Sequence, residues 1–330
     1  MLLTLQGEDL SEFSACPCRE GGNNLVYEIH LRNKRVLAKK YYRSGQDPRD
    51  RLGAEWSLIV YAIGQGISNV PKPIAKDEEN GIGLYEFIEG RKLSTQELNA
   101  RHVDMAADFF VALNGADRAE YAKEMPVASE ACFSIADHCS LIDRRVARLA
   151  AIEIDDEAGK EARSYVAEIE KVWTSTKRVI KAELAICQLE PDQVLPSVQR
   201  CVSPSDFGFH NALLRPDGGV TFIDFEYAGL DDPAKMAADF FCQPQVPVSA
   251  DHFERFLERT MFFCDDAEGL KRRARILLPA QKLKWACIML NDFLPDDAKR
   301  RRFANPEAEK SLRKRMQLDK VRVALTALKH

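Results

Sequence analysis

The sequence predicts an α+β protein of two lobes: a small antiparallel sheet with one helix, followed by a large, mainly helical lobe. Three observations support this prediction. Short β-like runs dominate before residue 90, long helical patterns follow it, and a strand-turn-strand pattern interrupts those helices at 212–223. We therefore divide the chain into residues 1–90 and 91–330, the second lobe carrying the hairpin and several further helices.

The composition is that of a globular protein. The chain has 330 residues, 45% of them hydrophobic, which is enough for a sizeable core. Lys and Arg total 47 against 51 Asp and Glu, so no overall basic field predicts nucleic-acid binding. We interpret the basic clusters at 271–275 and 299–302 as solvated helix faces. The N-terminus lacks a basic leader pattern and no apolar run is long enough to span a membrane, so we expect a cytoplasmic protein.

The nine cysteines predict no disulfide framework. Their number is odd and no leader pattern precedes them, which favours reduced thiols. Cys16 and Cys18 form a C-x-C pair, but no second Cys or His pair follows at the spacing of a zinc site. His210 is interpreted as a loop residue rather than a metal ligand.

The first predicted strands, at 25–31 and 35–42, follow a glycine turn. Gly21, Gly22, Asn23 and Asn24 stand directly before the first strand. Glycines at such a turn allow positive φ and a close approach of backbone to phosphate. The same four residues would also serve as an ordinary hairpin turn, and the pattern by itself does not separate the two readings.

The second strand contains a candidate phosphate-binding cation. Val36-Leu37-Ala38-Lys39 aligns with the V-A-I-K pattern, in which the lysine contacts the α and β phosphates of ATP. Successive side chains of a strand point to opposite faces, so only one of Lys39 and Lys40 can face the cleft. The alignment favours Lys39.

A helix is predicted to begin near Asp47-Pro48, with Asp as its N-cap, and to end near Gly64. Glu55 lies inside the apolar stripe of this helix. A carboxylate on a buried face is costly unless it is paired. We expect the partner to be Lys39 on the neighbouring strand; the alternative is a solvated glutamate at the rim of the helix.

The third predicted strand, at 82–87, follows the break at Pro71 and Pro73 and runs into a Gly. We interpret the segment as the hinge between the lobes. Backbone groups near Glu86 and Ile88 would there bond the edge of an adenine ring.

The most informative stretch of the chain runs from Ser203 to Gly229. Asp206 precedes Asn211 by five residues, which is the D-x-x-x-x-N spacing of a kinase catalytic loop, and Asp224 begins D-F-E where kinases have D-F-G. The apolar runs 212–214 and 220–223 flank a Pro-Asp-Gly-Gly turn and predict a β-hairpin.

Antiparallel pairing of this hairpin brings Asn211 and Asp224 together at its open end. Carboxylate and amide oxygens can share Mg²⁺ with phosphate oxygens and water. Asp206, on the preceding loop, would accept or orient the proton of a substrate hydroxyl. The alternative is a surface hairpin with polar ends.

The remaining pattern is helical, near 95–114, 134–150, 157–187, 250–263, 268–293 and 306–328. Residues of these helices, together with the loop after D-F-E, are expected to select the acceptor. The acidic residues there would either form a pocket for a cationic amine or act as helix caps and surface charges; they are Glu226, Asp231, Asp232 and Asp292.

In this order of motifs the chain resembles the phosphotransferase family that includes aminoglycoside phosphotransferases, choline and ethanolamine kinases and homoserine kinase. The resemblance covers most of residues 20–243 and rests mainly on "SDFGFHNALL" and "FIDFEYAGLDDPAKMAADFF". It implies a protein-kinase-like fold, ATP and Mg²⁺ as cofactors, Asp206 as the catalytic base, and Asn211 and Asp224 as metal ligands. Asp239 matches a later aspartate of the family and is taken as structural.

The chain departs from this family where Pro204-Ser205 stands in place of His-Gly before Asp206. The departure concerns the rigidity of the loop. The leading hypothesis is a kinase that phosphorylates a hydroxyl of a small molecule, because Asp232-Pro233 follows D-F-E too closely for a long activation segment. A nucleotide-binding regulator without turnover and a kinase acting on a protein are the alternatives. Neither the acceptor nor the oligomeric state can be read from the sequence.

Overall fold

The computed structural model of the chain describes most of its residues, and Gly21, Gly22 and Pro48 lie outside the described part. The described residues are 13–18, 23–44, 47, 49–115, 125–295, 297, 303 and 310–328. The strands are β1 (Ser14–Pro17), β2 (Leu25–His30), β3 (Arg35–Lys40), β4 (Pro73–Asp77), β5 (Ile82–Glu86), β6 (Cys201–Ser203), β7 (Ala212–Leu214), β8 (Val220–Phe222) and β9 (Gly229–Asp231). The helices are α1 (Arg51–Gly64), α2 (Ala100–Leu113), α3 (Ile135–Arg148), α4 (Glu157–Cys187), α5 (Pro233–Cys242), α6 (Phe253–Thr260), α7 (Ala267–Met289) and α8 (Lys310–Thr326).

The N-terminal part is an antiparallel sheet in the order β1-β2-β3-β5-β4. In the register of the central strand, Lys39 lies opposite Val26 of β2 and Gly83 of β5. Helix α1 packs on this sheet through Leu58 and Ile59, whose side chains are fully buried. The predicted small antiparallel sheet with one helix is confirmed.

Helix α1 begins later than its sequence suggests. Its N-cap is Asp50, whose side chain accepts a hydrogen bond from the Gly53 N–H at 2.9 Å. The prediction of Asp47 as the cap is wrong, because its carboxylate is held instead by the guanidinium groups of Arg49 and Arg51 at 2.6 Å each. A cap nearer to the helix thus leaves Asp47 free to pair with Arg49 and Arg51.

The C-terminal part is mainly helical, as predicted, with α7 at its centre in contact with α3, α4, α5 and α8. One helix was missed: α5 has only ten residues, and its charged residues Lys235 and Asp239 are buried together with its apolar ones. The sequence did contain a start signal for this helix, the pair Asp232-Pro233. In the structure, Asp232 is the N-cap and accepts from the Ala234 N–H at 2.8 Å, and Pro233 occupies the first helical position. The short strands β6 and β9 pair with each other and hold α5 beside the loop that follows β6.

The predicted hairpin forms from β7 and β8, with Ala212 opposite Phe222 and Leu214 opposite Val220. Aromatic rings of the helical part pack against the hairpin: the ring of Phe109 in α2 stacks on that of Phe222 in β8, with 4.6 Å between the ring centroids. The hairpin is therefore packed against the helical core rather than exposed as a surface loop, and its open end faces the sheet.

The basic cluster at 271–275 is only partly a solvated face. Arg275 is half-exposed and pairs with Glu254, whereas the side chains of Lys271 and Arg273 are mostly buried in ion pairs. The cluster at 299–302 lies outside the described residues. None of the helices described is both long and apolar enough to cross a lipid bilayer. The division of the chain at residue 90 stays a prediction; β5 ends at Glu86 and α2 begins at Ala100.

Candidate active site

A buried ion pair joins the sheet to α1. The Nζ of Lys39 lies 2.6 Å from Oε2 of Glu55, and both side chains are almost fully buried. The hydroxyl of Tyr41 donates to the same oxygen at 2.7 Å and lies 2.7 Å from the hydroxyl of Tyr85. Lys40, the next residue of β3, is exposed. The strand therefore presents Lys39 to α1, and Glu55 is not a rim residue.

Lys39 also contacts Asp224, which follows β8. Burial alone would lower the pKa of the Lys39 ammonium, but the carboxylates around it outweigh burial and raise this pKa well above its ordinary value. Burial would likewise raise the pKa of Asp224, and the charge of Lys39 lowers it below its ordinary value. Lys39 and Asp224 are both charged near neutral pH. Asp224 has φ of 66°, a left-handed conformation that Asp tolerates better than most residues.

Asp206 and Asn211 lie on the turn that precedes β7. The Nδ2 of Asn211 donates to the backbone oxygen of Asp206 at 3.0 Å, and the Ile223 N–H donates to the Asn211 carbonyl at 2.9 Å. Asn211 therefore ties the turn to the end of β8, just before Asp224. Because its amide nitrogen is engaged by Asp206, its amide oxygen is the atom that can ligate a cation. Ser205, before Asp206, has a left-handed φ of 52°.

Glu226, the last residue of D-F-E, joins three segments. Its carboxylate accepts from Nδ2 of Asn24 at 2.9 Å and from Nδ2 of Asn23 at 3.0 Å, and Nε of Arg51 lies 3.2 Å away. Burial and the charge of Asp224 raise the pKa of Glu226 above its ordinary value. The turn before β2 is thus fastened, through Glu226, to the segment that carries Asp224.

These residues meet in one cleft with a volume of about 1770 Å³. It is lined by sequence-predicted residues from both parts of the chain: Asn23, Lys39, Glu55, Glu86, Ile88, Asp206, Asn211 and Asp224. Asn24 is not among the lining residues, since its side chain is buried against Glu226. Gly21 and Gly22 lie outside the described residues, so their place relative to the cleft stays a prediction.

The hinge predicted at 86–88 borders the cleft on its sheet side. The backbone N–H of Glu86 is already bonded to the carbonyl of Lys72 at 2.8 Å, and its side chain accepts from the Lys72 N–H at 3.2 Å. Its backbone donor is therefore committed to the neighbouring segment. Contact of Glu86 and Ile88 with an adenine ring stays a prediction.

The four acidic residues considered for an amine pocket do not line the cleft. All four are buried and each has a cationic neighbour; they are Glu226 beside Arg51, Asp231 beside Lys235, Asp232 beside Arg273 and Asp292 beside Arg313. They therefore form no acidic pocket, and they are not surface charges either. Asp232 caps a helix, and its neighbouring cations affect the pKa of its carboxyl group. Burial alone would raise the pKa of its carboxyl group, but Arg273 and His138 lower it to about 2.

Several cleft residues were not identified from the sequence as part of the site. Asp239, which the resemblance marked as structural, forms a buried cluster with Lys284 and Trp285; the indole N–H of Trp285 donates to Asp239 at 2.9 Å, and all three border the cleft. His210 lies against Asp206, with Nε2 3.2 Å from Oδ1. The sequence carried a signal for His210 as well, because a residue four positions after Asp206 in a tight turn comes back beside it.

Comparison with known proteins agrees with this geometry. A family model described as "Phosphotransferase enzyme family" matches residues 14–269 of the 330. No curated protein sequence matches the chain significantly.

Solved structures share the fold at low sequence identity. Spectinomycin phosphotransferase APH(9)-Ia, in complex with ADP and spectinomycin, is 13% identical, with a TM-score of 0.64 over 98% of this chain and 94% of that one. Choline kinase from Cryptosporidium parvum is 13% identical, with a TM-score of 0.57 over 98% and 92%. Choline kinase LicA from Streptococcus pneumoniae is 15% identical, with a TM-score of 0.56 over 98% and 96%.

The neighbours confirm the predicted protein-kinase-like fold of a small sheet and a large helical part. The family match extends from β1 into α7 and includes the cleft residues Lys39, Asp206 and Asp224. This chain is a member of the phosphotransferase enzyme family.

Proposed function

We propose that this protein transfers the γ-phosphoryl group of ATP to a hydroxyl group of a small molecule, with Mg²⁺ as the metal cofactor. The observation that carries the proposal is the convergence of Lys39, Asp206, Asn211 and Asp224 on one cleft. Nucleotide complexes among the structural neighbours support the same view, because structures of spectinomycin phosphotransferase contain ADP or AMP.

Lys39 would neutralise charge on the phosphates. It is buried and charged, and Glu55 holds its ammonium group from the side of α1 while Tyr41 holds Glu55. A lysine fixed in this way needs little reorganisation when a polyphosphate arrives, which is the basis of electrostatic stabilisation in such sites.

The residues at the end of the hairpin suit Mg²⁺. Within the described part of the chain, no group of three or more His, Cys, Asp or Glu could hold a metal by protein ligands alone. Asp224 and the amide oxygen of Asn211 would therefore share the ion with phosphate oxygens and water, a donor set that Mg²⁺ prefers. Bound there, Mg²⁺ supplies positive charge that offsets the charge of the phosphates. Lys39, which now contacts Asp224, would have the incoming phosphates as a further partner.

Asp206 would orient the acceptor hydroxyl and take its proton. Its side chain is partly exposed to the cleft, and its backbone is braced by Asn211. Phosphoryl transfer with a loose transition state needs mainly positioning and charge stabilisation, so one aligned carboxylate is sufficient on the acceptor side.

A small molecule is the favoured acceptor class. Helix α5 begins at Pro233, directly after β9, so the chain has no extended segment after Asp224 on which a peptide could lie. Side chains of the helical part, including Lys284 and Trp285, also line the cleft. The spectinomycin and choline kinases with the same fold are named for small-molecule substrates.

The test is ATP consumption by the purified protein with pooled small-molecule alcohols, with and without added magnesium. We expect one pool to stimulate turnover and Asp206→Asn to lower it at least about 1000-fold, while the affinity for ATP changes less than about twofold. Asp217→Asn, on the exposed hairpin turn, is the matched control and should behave as wild type. Wild-type turnover in the purified Asp206→Asn protein would refute the assignment, and phosphate appearing on a protein acceptor would favour a protein kinase.

A further inference from the structure

The carboxylate of Asp206 is contacted by two side chains of its own turn. Nε2 of His210 lies 3.2 Å from Oδ1, and Nδ2 of Asn211 lies 3.4 Å from Oδ2. The contact with Asn211 is long, so His210 makes the closer of these two contacts with the carboxylate. We propose that His210 is a positioning residue, which holds Asp206 in the orientation that the acceptor hydroxyl requires. This inference rests on the proposed function.

The His210 ring is itself fixed by its surroundings. Its side chain is 7% exposed, whereas that of Asp206 is 28% exposed. The backbone carbonyl of His210 accepts from Nζ of Lys92 at 2.7 Å, which anchors the turn. A side-chain carbon at Gly208 would lie 2.8 Å from Nδ1 of the His210 ring and 2.9 Å from Gln243. The ring can therefore occupy its place only because residue 208 has no side chain.

The hydrogen-bonding pattern identifies the tautomer. Nδ1 of His210 is buried and has no hydrogen-bond partner among the described residues. A proton on Nδ1 would leave a buried donor unsatisfied, which costs more free energy than leaving an acceptor lone pair there. The proton of the contact with Asp206 is therefore on Nε2, which donates to the carboxylate.

This assignment has a consequence for the reaction. The N–H donor at Nε2 holds the Asp206 carboxylate in place through Oδ1. The remaining lone pairs of the two carboxylate oxygens are then available to the acceptor hydroxyl. His210 acts through Asp206 and has no part in binding the phosphates.

Two substitutions separate the hydrogen bond of His210 from the volume of its side chain. His210→Phe keeps an aromatic ring and removes the donor, whereas His210→Gln keeps an N–H donor of similar reach. We expect His210→Phe to lower kcat by about 10- to 100-fold, with the KM for ATP changed less than twofold, and His210→Gln to recover most of that loss. Gly208→Ala, whose backbone is extended and unstrained, should resemble His210→Phe because it displaces the ring.

The matched control is His30→Phe. His30 makes a similar contact with a carboxylate, 3.1 Å from Glu28, but its side chain is 44% exposed and does not itself line the cleft, so its substitution should leave kcat unchanged. A second measurement does not depend on turnover: ¹⁵N NMR of the imidazole should show the proton of His210 on Nε2 in the wild type.

The outcomes are distinct. Wild-type kcat in His210→Phe, an equal loss in His210→Gln, or a proton on Nδ1 would overturn the inference and leave the proposed function standing. A parallel rise in the KM for ATP would do the same, because it would assign His210 to the nucleotide side. Absence of turnover in the wild type with every acceptor pool would overturn the proposed function, and this inference with it.

Discussion

Replacing Lys39 with Met removes the cation beside two carboxylates that differ in their access to water. The side chain of Glu55 is 5% exposed, whereas that of Asp224 is 35% exposed and can be solvated. Glu55 would keep one hydrogen bond, from Tyr41. Leaving a buried charge without its partner costs about 3–5 kcal/mol, and the remaining bond favours the lower end. We expect Lys39→Met to lower the free energy of unfolding by about 3 kcal/mol at pH 8.

The size of this loss depends on pH. Burial raises the pKa of Glu55 above its ordinary value, and Lys39 opposes this effect, so removing Lys39 raises the pKa further. The folded variant then holds a proton on Glu55 at pH values where the unfolded chain has released it. Its stability falls as pH rises above the unfolded pKa, by up to about 1.4 kcal/mol per unit, until the folded pKa is passed. The destabilisation should therefore shrink as the pH is lowered from 8 toward 5.

The assay is urea unfolding at pH 8 and pH 6 without nucleotide. Lys39→Met combined with Glu55→Leu removes both buried charges and should recover most of the loss, since Tyr41 still has Tyr85 as a partner. Lys40→Met, on the exposed face of the same strand, should change stability by less than about 0.5 kcal/mol. Unchanged stability of Lys39→Met at pH 8, or a loss that grows as pH falls, would refute the reasoning.

Two further predictions concern the buried carboxylates of Glu226 and Asp232. Asn24→Ala should weaken ATP binding about tenfold in a nucleotide titration. The substitution removes the shortest hydrogen bond to Glu226 and with it one of the two side chains that fasten the turn before β2. An unchanged Kd would argue that the turn does not cover the phosphates. Asp232→Ala should lower the free energy of unfolding by about 3 kcal/mol in urea, because it removes the cap of α5 and leaves Arg273 unpaired. Asp217→Ala, on the exposed hairpin turn, is its control, and equal stability of the two variants would contradict the prediction.

The parts of the site that the sequence predicted are local. Pro, Asp and Gly at the turn specify the hairpin of β7 and β8, and the hairpin alone brings Asn211 near Asp224. The pairing of Lys39 with Glu55 is less local. A carboxylate inside the apolar stripe of a helix needs a cationic partner, and the strand that precedes the helix contains Lys39. In both cases a few neighbouring residues contained the physical cause.

The parts that could not be predicted depend on neighbours far apart in sequence. The charged residues of α5 are buried along with its apolar ones, and Asp232 and Glu226 pair with Arg273 and Arg51, which lie on elements distant in the chain. The cap of α1 was predicted wrongly because Asp47 and Asp50 are equally good cap residues by type. In the structure, Arg51 pairs with both Asp47 and Glu226, so the carboxylate of Asp47 is engaged away from the start of the helix.

The sequence by itself determined the fold class and the set of groups available for phosphoryl transfer, because turn chemistry and motif spacing act over short stretches of chain. Tertiary structure alone decided which carboxylates face the cleft and which are neutralised in the core. The physical reason is desolvation: a charge removed from water must find a partner, and its partner is chosen by the packing of distant elements. The contact of Glu226 with Asn24 is one that this packing added to the site, whereas His210 lies beside Asp206 within a single turn.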